Sequence, residues 1–261
     1  MASLREAVRE DLTLALDRVA FARRAFRFLP YGDRPDPWQE ELLRSTSKRL
    51  LLNCARQSGK TTVVAALALH KAMYTPGSFS LIFAPTQDQS TEFFKRVSEL
   101  AYGIGLDAVD PEAMRKTGME LRNGSRIEAR PGTERSAVSR TASLLVIDEA
   151  ARVDDELYAS VRPMLAVTQG DLVLLSTPKG KRGFYHHEWT EGLSWDRYSV
   201  DAYECPRITD EFLAEERVSL PPWRYRQEYE LSFEETEDQV FSADMVARAI
   251  TPEVLPLFAE S

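Results

Sequence analysis

Residues 53–61, Asn-Cys-Ala-Arg-Gln-Ser-Gly-Lys-Thr, follow an apolar strand candidate at 50–52 and run into a helix-forming stretch at 62–73. In that setting the backbone N–H groups of a glycine-containing turn, together with the positive end of the next helix, form a cradle for phosphate oxygens. Lys60 would reach the β- and γ-phosphates of a nucleotide, and the Thr61 hydroxyl would hold Mg2+. The usual pattern, Gly-x-x-x-x-Gly-Lys-Ser/Thr, opens on glycine, whereas Cys54 occupies that place here. An ordinary strand-to-helix turn would share these features, so the rest of the chain has to separate the two readings.

The apolar run 143–147 ends in two adjacent carboxylates, Asp148 and Glu149. It reads as a strand buried on both faces. Asp148 at its tip would hold the metal, and Glu149, pointing elsewhere, would accept a proton from an attacking water. A helix-capping Asp148 beside a solvated Glu149 is the alternative. A further buried strand at 171–176 ends in Ser176-Thr177-Pro178, placing the Thr177 hydroxyl at a strand tip near a γ-phosphate. Upstream, the connector 29–37 is rich in proline, and Pro37 opens a helix that carries Trp38 and Gln39. A glutamine amide can pair with the N6/N7 edge of adenine, and Tyr31 or Trp38 can cover the ring, so this segment is a candidate adenine clamp.

The elements that must position these groups alternate between strand and helix, which predicts an α/β fold with a mainly parallel sheet and nucleotide at the carboxyl ends of its strands. Asn123-Gly124, between alternating runs at 119–122 and 125–130, predicts a hairpin. Arg122, Arg126 and Arg130 on it read as solvated edge charges, with a phosphate-binding patch as the alternative. Apolar residues at helical spacing over 4–28 predict one long helix. The expected organisation is a helical arm at 1–29, a core at 30–194, a lid or linker unit at 195–241 and a tail at 242–261.

With 261 residues, 43% hydrophobic and 28% charged, the chain can bury a full core, and it has no apolar run long enough for a membrane span. The first dozen residues mix charge with apolar positions, against a secretory signal and for an intracellular setting. Cys54 and Cys205 support neither a disulfide framework nor a structural zinc site. A net charge of −8 argues against non-specific coating of nucleic acid, while leaving room for a local basic surface.

The order of motifs carries a resemblance. Pro37-Trp38-Gln39, then 55–61, Arg135 to Arg140, 144–150, Ser176-Thr177-Pro178 with Gly180-x-x-Gly183-Phe184-Tyr185, and Tyr225-Arg-Gln-Glu-Tyr229 with Phe233 closely resemble the ATPase domain of the large terminase subunit of tailed bacteriophages. The resemblance spans 30–241 and includes an irregular phosphate loop with Arg-Gln before x-Gly-Lys. It implies an ASCE-type, RecA-like ATPase fold with ATP and Mg2+ as cofactors, driving double-stranded DNA into a procapsid. It further implies a homo-oligomeric ring on the portal, a small terminase subunit that delivers DNA, no membrane association, and residence in the host cytoplasm. Family members carry a C-terminal nuclease with an acidic metal site, and nuclease activity is not expected of this chain.

By that pattern Trp38 and Gln39 fall on the adenine motif, and Arg56, Gln57, Ser58, Gly59, Lys60, Thr61 and Thr62 on the phosphate contacts. Thr61 and Asp148 take the metal positions, Glu149 the base position and Thr177 the coupling position. The activating arginine is Arg56 acting within the chain, or Arg140 or Arg135 acting across an interface; Arg140, expected near the catalytic edge, is favoured. A helicase-like translocase and a nucleotide-dependent switch or scaffold remain as alternatives.

Overall fold

A computed structural model describes residues 4–30, 32, 34–105, 116–133 and 140–234. Runs of Leu, Ile, Val and Phe dictate four central strands: β1 (Arg49–Cys54), β2 (Phe79–Ala84), β5 (Leu144–Asp148) and β6 (Asp171–Ser176). Because both faces of these strands are covered, the runs are continuously apolar rather than alternating. Leu52, Ile82, Val146 and Val173 pack to one side, and Leu51, Leu81, Ile147 and Leu174 to the other. The outer strands are shorter or more polar: β3 (Gly118–Glu120), β4 (Arg126–Pro131) and β7 (Asp196–Val200).

The seven-stranded sheet has the order β3-β4-β2-β5-β6-β1-β7. Only the β3–β4 pair is antiparallel, and the Asn123-Gly124 turn closes it, with Gly124 at φ 79°. Asn123 Nδ2 also donates to the Ala72 and Met73 carbonyls, which close the last turn of α4 (Lys60–Tyr74). The order places β6 between β5 and β1, and the registers Asp148 to Leu175 and Asn53 to Ser176 bring the three strand tips level. Asp196–Val200 lies on the lid side of the border expected at 195, yet it extends the main sheet beside β1.

The helices α2 (Arg18–Phe26), α4 and α5 (Gln87–Ile104) cover one face, and α6 (Asp155–Val161) and α7 (Gly183–Thr190) the other. The single helix expected over 4–28 is instead two, α1 (Leu4–Leu16) and α2. Periodicity alone did not register that Asp17 adopts an extended backbone and accepts hydrogen bonds from the Val19 and Ala20 N–H groups at 2.8 and 3.1 Å. A short side chain that caps a new helix ends the previous one. Helix α2 then approaches α5 so closely that a Cβ at Gly103 would lie 2.5 Å from the Ala25 carbonyl oxygen.

A third cluster joins α8 (Asp210–Ser219) and α9 (Pro222–Tyr229) to the sheet. Leu213, Tyr225, Tyr229 and Leu231 bury Ala55, the first residue of the phosphate loop. Among the described residues no helix is long and apolar enough to cross a membrane. Asp17→Ala removes the cap of α2 and is expected to lower stability by about 1 kcal/mol, read as a lower urea midpoint at unchanged slope.

Candidate functional site

The chain leaves β1 through residues 55–59 and enters α4 at Lys60. Gln57 (φ 59°) and Gly59 (φ 89°) take left-handed backbone, a geometry that turns successive N–H groups toward one concavity. Cys54, where the usual motif has glycine, is fully buried beneath the loop, and burial pushes its thiol up to about 12. It is a packing residue.

Two side chains brace the loop from behind. Gln39, in α3 (Pro37–Arg44), accepts from the Asp36 N–H at 2.9 Å and donates Nε2–H to the Gly59 carbonyl at 3.0 Å. Arg207 grips both Asp36 carboxylate oxygens, at 2.8 and 2.7 Å, and donates to the Ser58 carbonyl at 2.9 Å. Gly59 fits between them: a Cβ there would lie 2.7 Å from Gln39 Nε2 and 3.1 Å from Arg207 Nη2. A cavity of about 370 Å3 opens beside this brace, lined by Phe26, Leu29, Gln39, Gln57, Thr62 and Arg207 among others.

The two residues expected to clamp adenine are placed differently from one another. Gln39 lines the cavity, but its amide is already bonded at both ends; Trp38 packs against the main core and does not line it. The apolar walls come from Phe26 and Leu29. Tyr31 lies outside the described residues, as does Arg135.

Across the loop, Lys60 is buried and donates to Thr177 Oγ1 at 3.2 Å, while the Thr177 hydroxyl donates to the Cys54 carbonyl at 3.1 Å. Lys60 Nζ also stands 3.5 Å from Glu149 Oε1. Glu149, at φ 48° and ψ 42°, starts the 3-10 turn Ala150–Arg152, and Arg152 bonds its other carboxylate oxygen. Lys60, Thr177 and Glu149 thus meet at the tips of β1, β6 and β5. Thr61 and Thr62 follow Lys60, half-buried in the first turn of α4.

Asp148 is 7% exposed and accepts only from the Glu149 N–H among the bonds described at its carboxylate. Burial, with Glu149 next to it, pushes its carboxyl up to about 7. A buried carboxyl with one described hydrogen bond, beside Lys60 and Glu149, has the chemistry to hold a divalent cation. Among the described residues no group of three or more His, Cys, Asp or Glu would hold a metal ion unaided.

Arg56 and Arg140 pair with carboxylates outside the Lys60–Thr177–Glu149 cluster. Arg56 pairs with buried Glu228 of α9, Nε to Oε2 at 2.5 Å. Arg140 does not lie at the catalytic edge: it pairs with Glu128 in mid-β4 at 2.9 Å and covers the Phe79 ring at the amino end of β2. The 140–143 segment leads into the amino end of β5, whereas the site occupies the opposite ends of the strands. Arg126 and Arg130 share that face of β4, and with Arg140 and Glu128 they line a cavity of about 480 Å3; Arg122 is exposed in the turn. Arg126 and Arg130 are thus clustered beside Glu128, with Arg130 paired to it, whereas Arg122 is solvated as expected.

Arg152, Arg207 and Glu228 were missed as site residues. Arg152 was within reach of spacing, three residues after Glu149; nothing local marks Arg207, whose partners lie 149 and 171 residues away.

A glycine-bent loop opening a helix, a buried lysine, and a carboxylate pair two strands away at level tips define a phosphate-loop nucleotide-binding protein of the RecA-like α/β class. Residues 51–248 match the family "Terminase large subunit, T4likevirus-type, N-terminal", and the chain belongs to that family. The large terminase subunit of Thermus phage G20c is 27% identical over 247 residues, covering 81% of this chain and 51% of the relative. The chain therefore spans about half the length of that curated relative. In fold, it superposes on the large terminase ATPase domain of Thermus phage P74-26 with a TM-score of 0.68, at 23% identity, covering 77% of this chain and 94% of the other. The large terminase of the thermophilic bacteriophage D6E, solved in complex with ADP, gives a TM-score of 0.61 at 10% identity, over 81% of this chain and 53% of that one.

Gly59→Ala forces a side chain onto a left-handed backbone against Gln39, and is expected to weaken nucleotide binding at least about tenfold, roughly 1.4 kcal/mol, by titration calorimetry. Asp148 has the sign of a functional group that opposes folding: a carboxyl whose folded pKa exceeds its unfolded value makes stability fall as pH rises between about 4 and about 7. In metal-free buffer Asp148→Asn should melt above wild type at pH 8, with the gap narrowing toward pH 5.

Proposed function

We propose that this chain is an ATP hydrolase of a viral DNA-packaging motor, coupling Mg-ATP turnover to translocation of double-stranded DNA into a procapsid. The observation that carries the proposal is the meeting of Lys60, Thr177 and Glu149 at adjacent strand tips, in a chain of the large terminase family. Lys60 and the loop N–H groups bind the β- and γ-phosphates. Mg2+ held by Thr61 and Asp148 would neutralise charge on the phosphate oxygens. Glu149 accepts the proton of the attacking water and orients it toward the γ-phosphorus. Thr177, bonded to both Lys60 and the Cys54 carbonyl, links the state of the phosphates to β6 and β1.

In this reading the base lies in the cavity of Phe26 and Leu29, with Gln39 at its inner wall. Arg140 makes no contact with its own chain's site, which favours its action on a neighbouring copy in a homo-oligomeric ring. An arginine supplied across an interface stabilises the charge of the transferring phosphoryl group and raises the rate by about 10³ to 10⁵. The ring docks on the portal of the procapsid, receives DNA from the small terminase subunit, and works in the host cytoplasm.

Glu149→Ala and Arg140→Ala are each expected to lower hydrolysis about a hundredfold or more. An equimolar mixture recovers part of the wild-type rate, because some interfaces then join an intact Glu149 to an intact Arg140. Specific activity measured against protein concentration should rise. Flat activity, untouched by Arg140→Ala, would reject the trans assignment, and full activity in Glu149→Ala would reject the assigned base.

A further inference from the structure

Glu149 has two carboxylate oxygens and two cationic partners. Lys60 stands 3.5 Å from Oε1, and the Arg152 guanidinium bonds Oε2. These partners differ in what happens to them during a reaction cycle. Lys60 sits at the first position of α4, and under the proposed function its ammonium would turn from Glu149 to the phosphates of an arriving nucleotide. The side-chain bonds described for Arg152 go to Glu149. Its backbone N–H donates to the Glu149 carbonyl at 2.8 Å, closing the 3-10 turn, and the Ala151 N–H donates to Ser176 Oγ at 3.2 Å, tying the turn to the tip of β6.

The pair is sheltered, with side chains 22% and 20% exposed, so water screens it less than a surface pair. A guanidinium is also the cation suited to fixing the plane of a carboxylate, since its donors form a rigid fork. Arg56 and Arg140 pair with other carboxylates, Glu228 and Glu128.

We propose that Arg152 is the positioning residue of the hydrolytic base: it holds the Glu149 carboxylate in place after Lys60 has turned to the phosphates. The proposal rests on Glu149 being the base. It assigns Arg152 no contact with substrate; it acts through Glu149, which must stand within hydrogen-bond reach of the attacking water. Misplacing such a group by about an ångström costs on the order of a hundredfold in rate.

The test uses the full chain with Arg152→Ala and Arg152→Lys, each also combined with Glu149→Gln. Single-turnover ATP hydrolysis gives the rate, a fluorescent ATP analogue gives the affinity, and a thermal melt reports folding. For Arg152→Ala the rate should fall about tenfold to a hundredfold, with KM and analogue affinity within about twofold and Tm little changed. Arg152→Lys should restore part of the loss. In the Glu149→Gln background, Arg152→Ala should cost nothing further, because the group it positions is gone.

A rate within about twofold of wild type in Arg152→Ala would overturn the proposal. So would a loss that multiplies with Glu149→Gln, or one that tracks weakened nucleotide binding or a lowered Tm in both Arg152 variants, since those are the marks of a merely structural pair. Wild-type hydrolysis by Glu149→Gln alone would instead remove the underlying assignment of the base, an outcome separate from any result with Arg152.

Discussion

The buried ammonium of Lys60 is the constraint around which this fold is arranged. It is 8% exposed and sits at the amino terminus of α4, the end of a helix where the backbone dipole is already positive. Neither feature stabilises a folded chain, since an unpaired buried cation is costly and a helix amino terminus favours anions. The charge is tolerated because three strands end beside it. Strand β1 delivers the loop and the Cys54 carbonyl, β6 delivers Thr177, and β5 delivers Glu149. Parallel strands with level tips are what make that convergence possible. The whole arrangement leaves a positively poised concavity that phosphate would complete.

The loop that carries Lys60 is held from outside the sheet as well. Gln39 and Arg207 fix the carbonyls of Gly59 and Ser58, and the Asp36 carboxylate locks Arg207 in turn. On the outer side Arg56 reaches Glu228, and Ala55 is buried under Tyr225 and Tyr229. Segments from both ends of the described chain therefore meet on five residues of loop. Its glycine can be small because its neighbours are crowded: Gly59 is constrained both by a left-handed φ and by the amide and guanidinium on either side.

Asp148 and Glu149 show how adjacent carboxylates separate into different environments. Asp148 ends a strand buried on both faces, so its carboxyl is pushed up to about 7. Glu149, one residue on, leaves the strand through a left-handed backbone and gains Lys60 and Arg152 as partners. The break in backbone geometry, more than the residue types, divides their surroundings.

The sequence by itself determined the local parts of this protein. Continuous apolar runs gave the central strands, Asn123-Gly124 gave the hairpin, and Ser-Gly-Lys-Thr between strand and helix marked the phosphate loop, because each depends on residues a few positions apart. The Asp148-Glu149 and Thr177 strand tips were legible for the same reason. Where a local rule competes with periodicity, as Asp17 does within 4–28, the cap divides a stretch that the apolar spacing alone runs together. Only the tertiary structure decided which charges meet. Arg56 turned to Glu228, Arg140 to Glu128, and Arg207, with no mark in its neighbourhood, reached the loop from far along the chain. Trp38 entered the core while Phe26 and Leu29 took the cavity wall. Such pairings are settled by how strands are ordered and helices docked, and a one-dimensional pattern carries no record of which of many similar arginines will stand beside which carboxylate.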